Sequence, residues 1–154
     1  AEKADLSGAL NYLEQIVTQF PGSPKIPAVM LRQGELLSEM ARAEEAREKY
    51  QYILRVPEWR GILHARALYQ IGESYMAEDA YAKAHGFYER TFLGYPHLAE
   101  WSARAYLADA KALIGMGEKQ DAINTLNEAV VEISATAPAD ILKSIKAKLK
   151  ELQG

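Results

Sequence analysis

Apolar residues recur along this chain at the spacing of one helix face. They fall near positions i, i+3, i+4 and i+7, and short polar or glycine-bearing turns at residues 77–80 and 115–117 separate the segments. That spacing is typical of amphipathic helices joined as hairpins. The sequence lacks the apolar–polar alternation of strands and the Asn-Gly turns of β-hairpins. The pattern therefore predicts an all-α fold.

The pattern repeats with a step of 38 residues, the distance from Gly34 to Gly72 and from Gly72 to Ala110. Three further sets of residues keep the same step: Ala46, Ala84 and Ala122; Tyr12, Tyr50, Tyr88 and Leu126; and Ile16, Leu54, Phe92 and Val130. A fixed step of this length indicates one structural unit that is used several times. Each copy contains two amphipathic segments, so we expect one helical hairpin per copy.

The middle copy carries a known signature, Leu68-x2-Ile71-Gly72-x2-Tyr75, followed by Ala84-x3-Tyr88 and Pro96. This order resembles the tetratricopeptide repeat (TPR) almost place for place. The first and third copies match less closely, because Gln33 and Asp109 stand where the signature has an apolar residue. The resemblance implies a right-handed α-α superhelix of TPR helical hairpins, which is an α-solenoid.

The signature also predicts how each hairpin packs. We expect its two helices to approach most closely where Gly72 faces Ala84, because both side chains are small. The tyrosines at repeat positions are expected to pack in the core between hairpins: Tyr12, Tyr50, Tyr75 and Tyr88. Trp59 and Trp101 lie in the links between hairpins. They either fill the wedge between hairpins or serve as interface anchors, and burial is the favoured alternative.

The register divides the predicted single TPR domain, residues 1–154, into five parts. Residues 5–21 form the second helix of an incomplete repeat, 24–57, 59–96 and 97–135 form three repeats, and 138–152 form a capping helix. Because the first helix has no partner, either the sequence is cut from a longer array, which is the favoured alternative, or this helix opens the domain and is capped by something outside the chain. The capping helix is rich in lysine, so it either covers the last hairpin or contacts anionic lipid or an acidic partner.

The step of 38 exceeds the usual TPR step of about 34 residues by roughly one helical turn. The surplus lies in the links between hairpins, and this spacing resembles the TPR proteins of the bacterial cell envelope. Among those proteins, the outer-membrane assembly lipoproteins and the periplasmic partner of the Tol system are similar to this chain in that spacing. The resemblance implies a periplasmic or envelope-associated protein, with the cytoplasm as the alternative.

Composition argues against several kinds of chemistry. A net charge of −3 disfavours nucleic-acid binding, which depends on lysine and arginine. The chain has no cysteine, and its histidines, His64, His85 and His97, are scattered without metal-ligand spacing. The glycines at 115 and 117 lack the preceding strand and the lysine of a phosphate-binding loop. We therefore expect no enzyme activity, no cofactor, no metal and no transmembrane segment.

The candidate site follows from the TPR resemblance, in which the first helix of each pair lines a concave groove. Its outward positions are predicted to be Ala28, Leu31, Arg32 and Glu35, then Arg66, Tyr69, Gln70 and Glu73, then Arg104, Leu107, Ala108 and Lys111. The predicted partner-binding residues among them are Arg32, Glu35, Arg66, Tyr69, Gln70, Glu73, Arg104, Leu107 and Lys111. The two arginines at 66 and 104 either bind carboxylates or peptide carbonyls or pair with glutamates 35, 73 or 100.

These residues predict a non-enzymatic module that binds a protein or peptide partner along the groove. The lysine and asparagine clamp of chaperone-binding relatives is absent, because Leu31, Tyr69 and Leu107 occupy its positions. The alternative is a structural subunit of an envelope complex that assembles through its ends or its basic C-terminal helix. The identity of the partner and the oligomeric state stay open.

Overall fold

Helices form all the regular structure in the described part of the chain. The structure, a computed structural model, describes the backbone of residues 3–154 and the side chains of residues 5–154. The elements are α1 Lys3–Gln19, α2 Ile26–Glu39, α3 Ala43–Leu54, a 3-10 turn Pro57–Trp59, α4 Ile62–Ala77, α5 Tyr81–Gly94, α6 Ala99–Gly115, α7 Lys119–Ile133 and α8 Ala139–Gln153. The predicted all-α class is confirmed. Ala1 and Glu2, with which the predicted domain begins, lie outside the described residues.

The chain forms two compact units that divide between Ala67 and Leu68, inside α4. In the first unit α1 packs against α2, and α2 packs against α3. In the second unit α5 packs against α6, α6 packs against α7, and α8 contacts both α6 and α7. The predicted repeats 24–57, 59–96 and 97–135 hold the pairs α2–α3, α4–α5 and α6–α7. Whether the chain is one domain stays a prediction.

The three hairpin turns share one backbone conformation at one register position. Ala41, Asp79 and Gly117 have φ values of 60°, 56° and 82°. In each turn the N–H of the next residue donates to a carbonyl five residues back: Arg42 to Leu37 at 2.8 Å, Ala80 to Tyr75 at 2.9 Å and Glu118 to Leu113 at 2.8 Å. This hydrogen bond ends a helix as in the Schellman motif. Left-handed backbone costs non-glycine residues about 1–2 kcal/mol, so two of the turns keep the motif under strain.

Tyrosine rings lie on glycines in two hairpins. Tyr50 on α3 and Tyr88 on α5 are fully buried. A Cβ atom on Gly34 would overlap the ring of Tyr50, and a Cβ atom on Gly72 would lie 2.5 Å from Cε1 of Tyr88. The expectation that Gly72 faces Ala84 is therefore corrected, because the nearest side chain is the Tyr88 ring, which needs the space that glycine leaves.

Two other tyrosines depart from the predicted core positions. The Tyr12 side chain on α1 is 64% exposed, so its assignment to the core is wrong. Tyr75 is half-buried and stacks on Phe87, with ring centroids 5.8 Å apart. On the other face of α1, Leu6 and Leu10 are buried. No helix in the described part of the chain is both long and apolar enough to cross a membrane.

Candidate functional site

Five of the nine predicted partner-binding residues line one groove in the second unit. Tyr69 and Glu73 come from α4, and Arg104, Leu107 and Lys111 come from α6. The groove has a volume of about 360 Å³. The third wall was not predicted from the sequence: α8 supplies it through Asp140, Ile141 and Ser144. Because the amphipathic pattern of α8 suited a cap, its contribution to a groove was not apparent.

Aromatic contacts hold the predicted anchors in place. The Tyr69 ring lies between Tyr88, at 5.9 Å between centroids, and Trp101, at 5.7 Å. The guanidinium carbon of Arg104 lies 5.3 Å from the Trp101 ring centroid, within cation–π range. Trp101 is half-buried, as expected for a residue in the wedge between helices. It therefore orients two groove residues without lining the groove itself.

The tyrosine hydroxyls stay protonated and act as hydrogen-bond donors. Burial, and then the neighbouring Glu73, raise the pKa of Tyr69 to about 12, with Arg104 acting in the opposite direction. The Tyr88 hydroxyl donates to Oε1 of Glu73 at 2.5 Å, and burial followed by this bond raises the pKa of Tyr88 well above its usual range. Glu73 is thus fixed at the groove wall by a buried donor.

The groove combines an apolar floor with charges of both signs. Met76, Leu107 and Ile141 are half-buried apolar residues in its lining. Ala108 also lines the groove, as its predicted outward position requires, although it is only 7% exposed. Basic side chains come from Arg104 and Lys111 on α6, and acidic side chains come from Glu73 on α4 and Asp140 on α8. This surface suits a peptide with an apolar side chain and charged neighbours.

The basic groups on α6 are available to a ligand at little cost. Arg104 pairs with Glu100 at 3.0 Å, which is one of the pairings considered from the sequence. Both side chains are about half exposed, at 44% and 50%, so a pair of this kind contributes about 0–1 kcal/mol. Lys111 is exposed and, among the described residues, has no ion-pair partner. An incoming carboxylate can therefore replace the Glu100 contact and add a second one.

The predicted residues of the first unit form an ion-pair network instead of lining that groove. Glu35, whose side chain is 19% exposed, accepts from Arg66 at 2.8 Å and from Arg32 at 3.1 Å. The pairing alternative is thus the one observed for Arg66. Leu31 is 2% exposed, so its predicted outward position is wrong, because it belongs to the core of this unit. Gln70, in the second unit, is half-buried and does not line the groove described above.

A second groove lies in the first unit and was not predicted. It has a volume of about 560 Å³, and the links before α2 and α4 line it, with Pro21, Pro24 and Trp59 among its residues. The half-buried Trp59 ring lies 6.0 Å from the ring of Tyr52. The longer links of the 38-residue step therefore build a surface of their own.

Two histidines have structural partners. His64 is buried, and its Nε2–H donates to the carbonyl of Val56 at 3.0 Å. His85 on α5 places Nδ1 2.6 Å from Oδ1 of Asp109 on α6 and Nε2 3.1 Å from Glu89. Asp109 is fully buried, and burial raises its pKa to about 6 although His85 acts to lower it. This polar pair links α5 to α6 at the position where the TPR signature has an apolar residue.

Comparison with known proteins supports the fold. No protein-family model matches the chain, and no curated protein sequence matches it. Solved structures do match, among them the MamA RS-1 ArsTM double mutant, with a TM-score of 0.63 and 18% sequence identity. The alignment covers 96% of this chain and 85% of that chain. MamA is a TPR-containing protein, so the chain has a TPR-like all-helical fold, as predicted.

Proposed function

We propose that the chain is a non-enzymatic protein-interaction module whose groove between α4, α6 and α8 binds an extended segment of a partner protein. One observation carries the proposal. Residues that the repeat register predicts to be partner-binding, on two different helices, line the same groove. The rigid aromatic contacts behind them reduce the entropy that binding must overcome, because Tyr69 and Arg104 are already oriented.

The spacing of the basic residues suggests the ligand's chemistry. Arg104 and Lys111 are seven positions apart on α6, which corresponds to about 10 Å along the helix. A peptide in the polyproline II conformation has three residues per turn and advances about 3.1 Å per residue, so acidic side chains three positions apart lie on the same side and span nearly the same distance. Leu107 lies between the two basic residues, beside Met76 and Ile141. The proposed ligand is an acidic-x-x-acidic segment with an apolar residue between the acids.

Peptide selection tests this proposal without a known partner. A displayed library of random 12-residue peptides is panned on the protein, and selected peptides are titrated by calorimetry. We expect enrichment of the acidic-x-x-acidic spacing and a loss of at least about 1 kcal/mol in binding for Tyr69→Ala and for Arg104→Ala. Arg66→Ala, in the first unit, is the matched control, and it should leave the affinity unchanged. Selected peptides that bind all variants equally would contradict the proposal.

The alternative function, assembly into an envelope complex, has its own supporting observation. On α8, Ile145 is fully buried while Lys143, Lys146 and Lys150 are exposed, so the helix is anchored and presents positive charge. If Lys146→Ala and Lys150→Ala weaken partner binding and the groove variants do not, this alternative replaces the groove proposal. The envelope location stays a prediction, which fractionation of the native cells can test.

A further inference from the structure

The two side walls of the groove between α4, α6 and α8 differ in chemistry. On α4, the Tyr69 ring and the Met76 side chain line the groove, and the carboxylate of Glu73 already accepts a hydrogen bond from the Tyr88 hydroxyl. On α8, the acidic group is Asp140, which is exposed. The α4 wall is thus mainly apolar and its acid is engaged, whereas the α8 wall presents its acid to solvent.

The carboxylate of Asp140 is available to a ligand. Among the described residues it has no ion pair and no hydrogen bond, because Ser144 donates to the backbone carbonyl of Asp140, at 3.1 Å, and not to its side chain. Asp140 lies in the first turn of α8, where a negative charge stabilises a helix. That stabilising role needs no ligand, so a role in binding has to be tested by an effect that depends on the ligand's own charge.

An extended ligand on α6 turns a different face to each side wall. A segment in the polyproline II conformation has three residues per turn, so its side chains form three faces about 120° apart. When the acids of the proposed acidic-x-x-acidic segment face Arg104 and Lys111 on α6, one enclosed residue faces α4 and the other faces α8. An apolar side chain suits the Met76 side, and lysine or arginine suits the Asp140 side.

We propose that Asp140 determines the specificity of this groove by selecting a basic residue between the two acids of the ligand. The ligand class is then a segment whose acidic pair encloses one apolar and one basic residue. This inference rests on the proposed function, because it concerns the same groove. The order of the two enclosed residues sets the direction of binding, since a polyproline II segment turned end to end keeps its acids on α6 and exchanges its other two faces.

A matched control has to separate Asp140 from the charge of the whole protein. The net charge of −3 also favours a basic peptide, wherever that peptide binds. Asp121 is an exposed aspartate in the first turn of α7 and does not line the groove. Asp121→Lys and Asp140→Lys change the net charge equally, and both place lysine at a helix N-terminus. A difference between these two variants therefore reports on the groove.

Designed peptides test the selection directly. Three fluorescein-labelled peptides share the acidic pair and an enclosed leucine, and their other enclosed residue is lysine, alanine or glutamate; each is made in both orders. Anisotropy titrations are run at about 0.15 M salt, where charges more than about 8 Å apart are largely screened. In at least one order, the wild type should bind the lysine peptide at least threefold more tightly than the glutamate peptide. Asp140→Asn should at least halve this ratio, Asp140→Lys should reverse it, and Asp121→Lys should leave it unchanged.

Arg104→Ala distinguishes failure of this inference from failure of the proposed function. If this variant weakens the alanine peptide, but the wild type shows no preference for lysine or the preference survives Asp140→Lys, the role of Asp140 is refuted and the groove stands. A reversal by Asp121→Lys as well would also refute that role. If Arg104→Ala leaves the alanine peptide unaffected, or no peptide binds, both proposals fail. Should circular dichroism show that Asp140→Lys loses helix, the ratio measured with Asp140→Asn decides.

Discussion

Gly72 provides a sharp test of the packing, because a single methyl group is enough to disturb it. A Cβ atom at this position would lie 2.5 Å and 2.8 Å from two ring carbons of Tyr88. Ordinary contacts are about 3.5–4.0 Å, so the helix or the ring must move by about 1 Å. The ring cannot move freely, since it is fully buried, contacts Tyr69 and donates its hydroxyl hydrogen to Glu73.

The expected magnitude combines two opposing effects. Overpacking costs about 1–3 kcal/mol, whereas alanine in place of glycine favours the helix by about 1 kcal/mol. Gly86→Ala is the matched control, because Gly86 lies inside α5 and its Cβ would meet no atom within 4 Å. We expect Gly86→Ala to raise the free energy of unfolding. The free energy of unfolding of Gly72→Ala should lie about 1–3 kcal/mol below that of Gly86→Ala. Gly72→Leu should destabilise the protein more than Gly72→Ala does.

Urea unfolding followed by circular dichroism measures these differences. The double variant Gly72→Ala/Tyr88→Leu recreates the alanine and leucine combination of the third hairpin, so it should lose less stability than the two single changes added together. Strict additivity would show that the two residues do not share a contact. Equal stabilisation by Gly72→Ala and Gly86→Ala would refute the packing argument outright.

Three further predictions concern other parts of the fold. Burial raises the pKa of Asp109, so the folded state binds the proton more tightly than the unfolded state does. The free energy of unfolding of the wild type, relative to that of Asp109→Asn, should therefore fall by up to about 3 kcal/mol as the pH rises from about 4 to 6. Urea titrations of the wild type and of Asp109→Asn at several pH values measure this difference. Ala41→Gly should raise the melting temperature, because glycine relieves about 1 kcal/mol of left-handed strain. Ile145→Ala should cost about 2–5 kcal/mol in chemical unfolding, because this residue anchors α8.

The sequence was sufficient for the all-helical class. The 38-residue step predicted helical hairpins, because the same small and large residues are needed wherever a hairpin forms, and the turns named at residues 77–80 and 115–117 lie between helices. The turns at Ala41, Asp79 and Gly117 follow the same step, although only Gly117 carries the glycine that normally signals such a turn. A position in the 38-residue step thus indicates a turn even where the residue type does not.

Details of packing could not be read from the step alone. The register gives Tyr12 and Tyr50 the same position, but exposure depends on whether another helix covers the ring. Leu31 was assigned outward by family analogy, and its burial follows from the packing of α2 between α1 and α3. The contribution of α8 to the groove depends on where that helix lies, which no repeat position specifies.

Methyl NMR of a peptide complex tests the central claim most directly. Assigned leucine and isoleucine methyl signals are recorded while a selected acidic-x-x-acidic peptide is added. The account predicts saturable shifts at Leu107 and Ile141, which line the groove, and none at Leu93, which is 65% exposed on α5. Shifts at Leu93, with Leu107 and Ile141 unchanged, would show that the peptide binds elsewhere and would contradict the account.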